Sequence, residues 1–363
     1  VFLRPLGLRL MVLLCTMMFT VSCGDSKEAD KPEDSGVYEV AMLISGKDVE
    51  DGAFNQKTWK SVSSFCEKKE LTCQYYTSEK NSRDAYLASV KTAVDNGAGI
   101  VIFAGSDFET AAYDAQKKYP DISFLLIDGM PHDKNDKYEM GSNMIGIMFA
   151  EEEAGFLAGY AAVKDGYTQL GFMGGKETPS IKRYGYGFVQ GAETAASEAD
   201  MKEKVGIRYS YAGTFDESDD VKKTAEKWYK KGTQVIFACG GAMGRSVMNA
   251  AEAADGKVIG VDVDQSSLSE TVITSAEKNI SSAVENVLRD YASGKFTGGT
   301  AFNYAAKNDG VKLQMKNSRF STFSSDAYKE IFSRLKNGKI DLKKDTEADS
   351  AERVTGEHTE IIK

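Results

Sequence analysis

The sequence predicts an α/β protein built from two doubly wound parallel-sheet lobes joined by a multi-strand hinge. Three observations lead there. From Val37 to Lys336, short apolar runs alternate with segments whose apolar residues recur at helical spacing, the signature of a βαβ series with right-handed crossovers. The alternating series occurs twice in tandem. The length, 363 residues, is long for one core and comfortable for two.

The N-terminus reads as an export signal rather than as part of the fold. Arg4 and Arg9 bracket the start of an apolar run over 10–21 that is too short and wrongly flanked for a spanning helix. It ends in Thr20-Val-Ser-Cys23, which resembles a bacterial lipoprotein signal, although Thr20 stands where Leu is usual; the alternative is an ordinary secretory signal with a chance cysteine. The expectation is a signal over 1–22, a lipidated Cys23 and a tether to residue 36, charged and too apolar-poor to fold. Cys66, Cys73 and Cys239 are odd in number, lack a C-x-x-C spacing and read as small core residues.

In the first series, strands are expected over 38–44, 71–76, 100–104 and 123–127, with helices over 55–69, 82–96 and 107–119. A further strand over 143–149 closes a first lobe spanning 37–148. A helix over 151–163 opens the second lobe, 149–275, with Gly155 and Gly159 on one face for close packing. Strands over 169–173, 205–211, 234–238 and 258–261 alternate there with helices over 182–197, 218–231 and 243–254. Residues 276–336, including helices over 279–293 and 324–336, are expected to return and complete the first lobe after a strand over 271–275. Residues 337–363 form a charged tail without an assignment.

Composition narrows the chemistry. A net charge of −9 and a pI near 5.1 argue against a nucleic-acid binder, which needs phosphate neutralisation. The two histidines, His132 and His358, are far apart, which removes most Ser-His-Asp, Cys-His and His-metal constellations; no metal, cofactor or catalytic residue is expected. Gly171-Phe-Met-Gly-Gly-Lys-Glu-Thr178 fails as a P-loop because its first Gly is one place late and Glu177 occupies the magnesium-ligand position. Gly185-Tyr-Gly-Phe-Val-Gln-Gly191 has one residue too many for a dinucleotide fingerprint and no strand directly before it. The carboxylate pairs Asp262/Asp264 and Glu151/Glu152 keep a hydrolase reading open.

The strand ends, where ligands bind in open α/β sheets, carry recognition groups instead. Ser45, Phe54 and Asn55 follow the first strand, Ser106 the third and Asp128 the fourth. In the second series the ends bring Phe215, Gly240, Asp262 and Lys278. Phe54 and Phe215, one per lobe, suit a flat ligand between them; the alternative for each is a core or helix-start residue. Asp262 suits a vicinal diol through charge-assisted hydrogen bonds; the alternative is a cap or turn residue.

Asp51-Gly-Ala-Phe-Asn-Gln56, Phe172-Met-Gly-Gly175, Tyr184-Gly-Tyr-Gly-Phe-Val-Gln-Gly191, Ile259-Gly-Val-Asp-Val-Asp-Gln265 and Thr274-Ser-Ala-Glu-Lys278 together resemble the basic membrane protein family, which includes purine nucleoside receptor lipoproteins. The resemblance runs from about Val37 to Lys336. It implies a type I periplasmic-binding fold, a monomer without enzymatic activity, that closes on a nucleoside and delivers it to an ABC permease. The location implied is the outer face of a bacterial cell membrane, anchored by the lipid at Cys23. It further implies that Phe54 and Phe215 border the base, Asn55 contacts the ligand or braces its loop, and Asp262, Lys278 and the Gly240 backbone hold the ribose. Ser106 and Asp128 would wall the first lobe. Ser45 stands where the family usually has Asp, which changes the donor/acceptor pattern offered to a base and opens the site to a sugar or another small ligand. A third possibility is a surface antigen whose cleft is vestigial.

Overall fold

The computed structural model describes residues 36–362 apart from Lys47 and Glu79; the signal, Cys23 and the tether up to residue 35 lie outside the described residues. The first alternating series forms β1 (Val40–Ile44), α1 (Phe54–Lys69), β2 (Cys73–Thr77), α2 (Arg83–Asp95), β3 (Ile100–Ala104), α3 (Glu109–Lys118), β4 (Ser123–Ile127) and β5 (Met144–Phe149). Its strands are parallel in the order β2-β1-β3-β4-β5. β1 and β3 are buried at every residue, as strands covered on both faces must be.

The chain then crosses to a second lobe through α4 (Glu151–Lys164). There β6 (Gln169–Gly174), α5 (Pro179–Glu198), β7 (Val205–Tyr211), α6 (Asp219–Lys230), β8 (Val235–Cys239), α7 (Met243–Ala254), β9 (Lys257–Asp262) and β10 (Val272–Lys278) follow. Their parallel order is β7-β6-β8-β9-β10. α8 (Ile280–Ala292) and β11 (Thr300–Tyr304) return to the first lobe: Ser281 bonds Ser61 of α1 at 2.8 Å, and β11 pairs with β5.

Here the expected division needs correction. β12 (Val311–Leu313) pairs antiparallel with β10, so it belongs to the second sheet and not to the first lobe. α9 (Ser325–Lys336) also sits on the second-lobe side, where Tyr328 meets β12 and Arg334 pairs with Glu198 of α5 at 2.6 Å. The charged tail folds as well. Its β13 (Thr359–Ile362) lies beside β7, where alternate residues pack and Thr359 is buried, and this completes a seven-stranded sheet. The crossings are tied sideways: Ala150 N donates to Tyr304 O at 2.9 Å, and Asn279 N to Gly310 O at 2.8 Å.

α4 and α5 touch backbone to backbone. A Cβ added at Gly155 or Gly159 of α4 would lie 2.0 Å from the carbonyl oxygens of Tyr184 and Phe188, and one added at Gly187 or Gly191 of α5 would lie 2.0 Å from those of Glu152 and Phe156. The glycines that resembled a dinucleotide motif are therefore interior to a helix, and two of them form its seam with α4. Cys66 and Cys239 are buried in the core and Cys73 is half-buried against it; all three are free thiols.

Candidate ligand-binding site

A cavity of about 260 Å³ opens where the carboxyl ends of both sheets face each other. Ser45, Phe54, Asn55, Ser106 and Asp128 line it from the first lobe. Phe215, Gly240, Asp262 and Lys278 line it from the second, so all nine sequence candidates meet at one place. Sequence reasoning missed Ser180, Tyr184 and Arg245 among the lining, and Glu151 and Arg183 behind it.

Local chemistry explains how each wall is held. Asp51 turns back onto the start of α1: Oδ1 accepts from Ala53 N at 2.8 Å and Gln56 N at 3.0 Å, and Oδ2 from Asn55 N at 2.9 Å. Its oxygens thus anchor the helix end that presents Phe54 and Asn55. Asp128 and Asp262 both adopt left-handed backbone, φ +59° and +64°, at the turns after β4 and β9. That conformation costs a non-glycine residue ~1–2 kcal/mol, and both residues carry a carboxylate into the cavity. The Tyr184 hydroxyl reaches Asp262 Oδ1 at 3.4 Å, its ring fixed edge-on against Phe237 at 5.7 Å.

Lys278 is the hub. Its ammonium donates to Asp128 Oδ2 at 2.5 Å and to Ser180 Oγ at 3.1 Å, and it is ion-paired with Glu151 Oε1 at 3.0 Å and Asp262 Oδ1 at 3.9 Å. The rings of Phe54, Phe149 and Tyr184 stand 5.3–5.5 Å from it. Burial alone would push the Lys278 ammonium toward neutrality, but Asp128, Glu151 and Asp262 outweigh it and hold the charge. Burial raises Asp128 despite Lys278, whereas Glu151 stays below its ordinary range because Arg183 and Lys278 together overcome burial. Asp262 is pushed up to about 7, first by burial, against the pull of Lys278. Asp128 Oδ1 is a buried acceptor that lacks a hydrogen-bond partner among the described residues.

The lobes are also bridged over the mouth. Lys176 Nζ pairs with Asp107 Oδ2 at 2.8 Å while lying 5.1 Å above the Phe215 ring. Arg245 Nη2 donates to Glu50 O at 3.0 Å, and Gln265 Nε2 to Gly52 O at 3.1 Å. Asp264 does not share the cavity with Asp262, contrary to the pairing a hydrolase reading needs: it accepts from Asn317 at 2.6 Å and from Ser266 N at 3.0 Å. In the other pair, Glu151 is engaged by Lys278 and Arg183, and Glu152 by Lys344 at 3.1 Å. Among the described residues no group of His, Cys, Asp and Glu is arranged to hold a metal, and no helix is long and apolar enough to cross a membrane.

Residues 38–345 match the profile of the Bmp family, described as ABC transporter substrate-binding protein PnrA-like. The chain belongs to this family. Among Bmp relatives, the ABC transporter nucleoside-binding protein BmpA of Lactococcus lactis subsp. cremoris (strain MG1363) is 29% identical over 83% of this chain and 88% of its own. Basic membrane protein D of Borreliella burgdorferi (strain JD1) is 27% identical over 85% of this chain and 86% of its own. The fold matches a solute-binding protein of an ABC transporter system from Aeropyrum pernix K1, with a TM-score of 0.76 and 18% identity over 86% of this chain and 95% of that one. Membership in the Bmp family makes this a substrate-binding protein of an ABC transporter, extracytoplasmic and serving a permease with a small ligand. Its architecture is the type I periplasmic-binding fold.

Proposed function

We propose that the small ligand is a nucleoside, bound between the lobes without turnover and released to the permease, and that Cys23 carries a lipid anchor. The observation that supports this most directly is the pairing of two strand-end aspartates, Asp128 from one lobe and Asp262 from the other, about a single fixed ammonium. A carboxylate accepts but never donates, so Asp262 and the unpartnered Asp128 Oδ1 suit a group rich in hydroxyls such as ribose. Phe54 and Phe215, from opposite lobes, offer faces for the base. Lys278, bonded to Asp128 and Ser180 and ion-paired with Glu151, places those carboxylates. The name of the Lactococcus lactis relative agrees with this reading. Lipid anchoring rests on the sequence around Cys23 alone.

Ser45 favours a second reading, a sugar ligand, because it replaces the acidic group that the family resemblance places toward the base. One calorimetric panel separates the two. The folded, ligand-free protein is titrated with nucleosides, free bases and sugars, beside Asp262→Ala, with each mixture analysed for products afterwards. Intact nucleosides binding to the wild type and not to the variant is the expected result. Sugars binding while nucleosides stay silent would replace the ligand, and released free base would replace the receptor by a hydrolase.

A further inference from the structure

A line of buried charge runs from the cavity to the C-terminal segment. Glu151, with no exposed side-chain surface, is ion-paired with Lys278 through Oε1 at 3.0 Å and accepts from Arg183 Nε through Oε2 at 2.7 Å. Behind it, Arg183 Nη1 lies 3.6 Å from Asp345 Oδ1, with both side chains close to nine-tenths buried. The segment carrying Asp345 is clamped to α5, since Gln190 exchanges two 2.9 Å hydrogen bonds with the Lys343 backbone, and Lys344 pairs with Glu152 at 3.1 Å. Neither Arg183 nor Asp345 lines the cavity.

A fully buried carboxylate must be paired or become protonated. Arg183, whose charge is permanent, meets that need from the side away from the ligand and leaves the Lys278 ammonium free to serve Asp128 and Asp262. Glu152, whose buried Oε2 lacks a hydrogen-bond partner, also attracts the guanidinium, and Asp345 attracts it more strongly from behind. We propose that Arg183, held from behind by Asp345 of the C-terminal segment, is a positioning residue for the ligand site, fixing Glu151 so that Lys278 stays between the two strand-end aspartates.

The sensor of that placement is Asp262. It is faced by Lys278 of β10, Asp128 after β4, Asp51 before α1, Glu151 of α4, Tyr184 of α5 and Cys239 of β8. Lys278 is the one cation in that set, so drawing it toward an unpaired Glu151 makes Asp262 harder to ionise.

The test reads Asp262 directly, by carbon-13 NMR titration of its carboxyl in the ligand-free protein, with Asp262→Asn assigning the resonance. Arg183→Gln is expected to move the midpoint to a proton concentration roughly tenfold lower. Arg183→Lys should restore most of that shift, and Asp345→Asn should move the midpoint the same way by a smaller amount. The second arm rests on the nucleoside reading. Adenosine affinity at pH 7 should fall about fivefold in Arg183→Gln, since the ionised fraction of Asp262 drops from about one half to about one eleventh and passes directly to binding, and recover at pH 8.5. An unmoved Asp262 midpoint in folded Arg183→Gln, or in folded Asp345→Asn if the first variant fails to fold, overturns the proposal. Loss of adenosine affinity that is equal at every pH does so too, as it marks a merely structural role. Failure of the wild type to bind adenosine would instead sink the nucleoside reading, and the NMR arm would still decide this one.

Discussion

Asp262 has an ordinary acidity in the unfolded chain near 3.8 and is pushed to about 7 in the fold, by burial first, then by Asp128, Asp51 and Glu151 against the pull of Lys278. The folded state therefore holds a proton that the unfolded chain has lost. The sign follows: this group makes the protein less stable as pH rises from about 4 to 7, by an amount on the order of 4 kcal/mol, with no further loss above. Asp262→Asn should be more stable than the wild type at pH 8 and show no such gain at pH 4, as read by guanidinium unfolding at both values. Parallel stability profiles would remove the buried carboxylate as the cause. Ligand affinity should run the other way, rising with pH through the same window, because the ionised form accepts hydroxyls. On the same lobe, Phe215→Ala should weaken nucleoside binding by about 1–3 kcal/mol, the usual worth of a base on an aromatic face, with little change in the melting temperature. Asp262 was legible because it follows an apolar run whose strand delivers its last side chain to the ligand end, and Lys278 because the strand expected over 271–275 leads to it. Ser180, Arg183 and Tyr184 were not. They sit inside a helical pattern, and what makes them matter is contact with Asp128, Glu151 and Asp262, residues 29–78 positions away in the chain, which no local signal encodes.

The α4–α5 seam sets the register of the ion pairs behind the cavity, since Glu151 begins one helix and Arg183 lies near the start of the other. Gly187→Ala would put a methyl 2.0 Å from the Glu152 carbonyl oxygen, so the helices must part. The expected cost is about 3 kcal/mol, together with weaker ligand binding as Arg183 and Glu151 separate. Gly244→Ala in α7 is the control: the nearest atom to the new methyl is 4.0 Å away, and helix propensity predicts a gain of about 0.5–1 kcal/mol. Equal melting temperatures for the two variants would show that the seam is not under this constraint. The two alternating series were legible from periodicity alone, down to strands such as β3 and β4 whose expected ends coincide with the observed ones. The later strands were not. β12 has three residues, β11 is largely exposed, and β13 carries the polar Thr-Glu pair, so none presents the continuous apolar run of an interior strand. Periodicity also tells whether a strand is buried and not which sheet buries it, which is why residues 311–313 were given to the wrong lobe.

Few contacts bridge the lobes at the mouth: Lys176–Asp107 and Arg245–Glu50 are partly exposed and each worth ~1 kcal/mol or less on its own, and Gln265–Gly52 is buried. Removing two of them, with Lys176→Ala and Arg245→Ala together, should shift the ligand-free protein toward an open form. Small-angle scattering checks this: the radius of gyration should exceed that of the wild type and return to it on saturation with ligand. An unchanged radius would mean that the hinge, the Gln265–Gly52 bond and the Lys278 cluster suffice to hold the lobes together. The mouth also carries Asp48, Glu50, Asp107, Asp216 and Glu217 against Arg245 and Lys176. A nucleoside 5′-monophosphate should consequently bind about 100-fold more weakly than its nucleoside, since like charges brought together cost several kcal/mol. The strand order has a further consequence in time. A chain leaving the ribosome or the export channel N-terminus first lays down β7 and β10 long before β13 and β12 arrive to cover them. Until residues 311–313 emerge both flanks of the second sheet are open, and the β7 flank stays open until residues 359–362 follow, which leaves the unfinished sheet exposed to pairing with a neighbour.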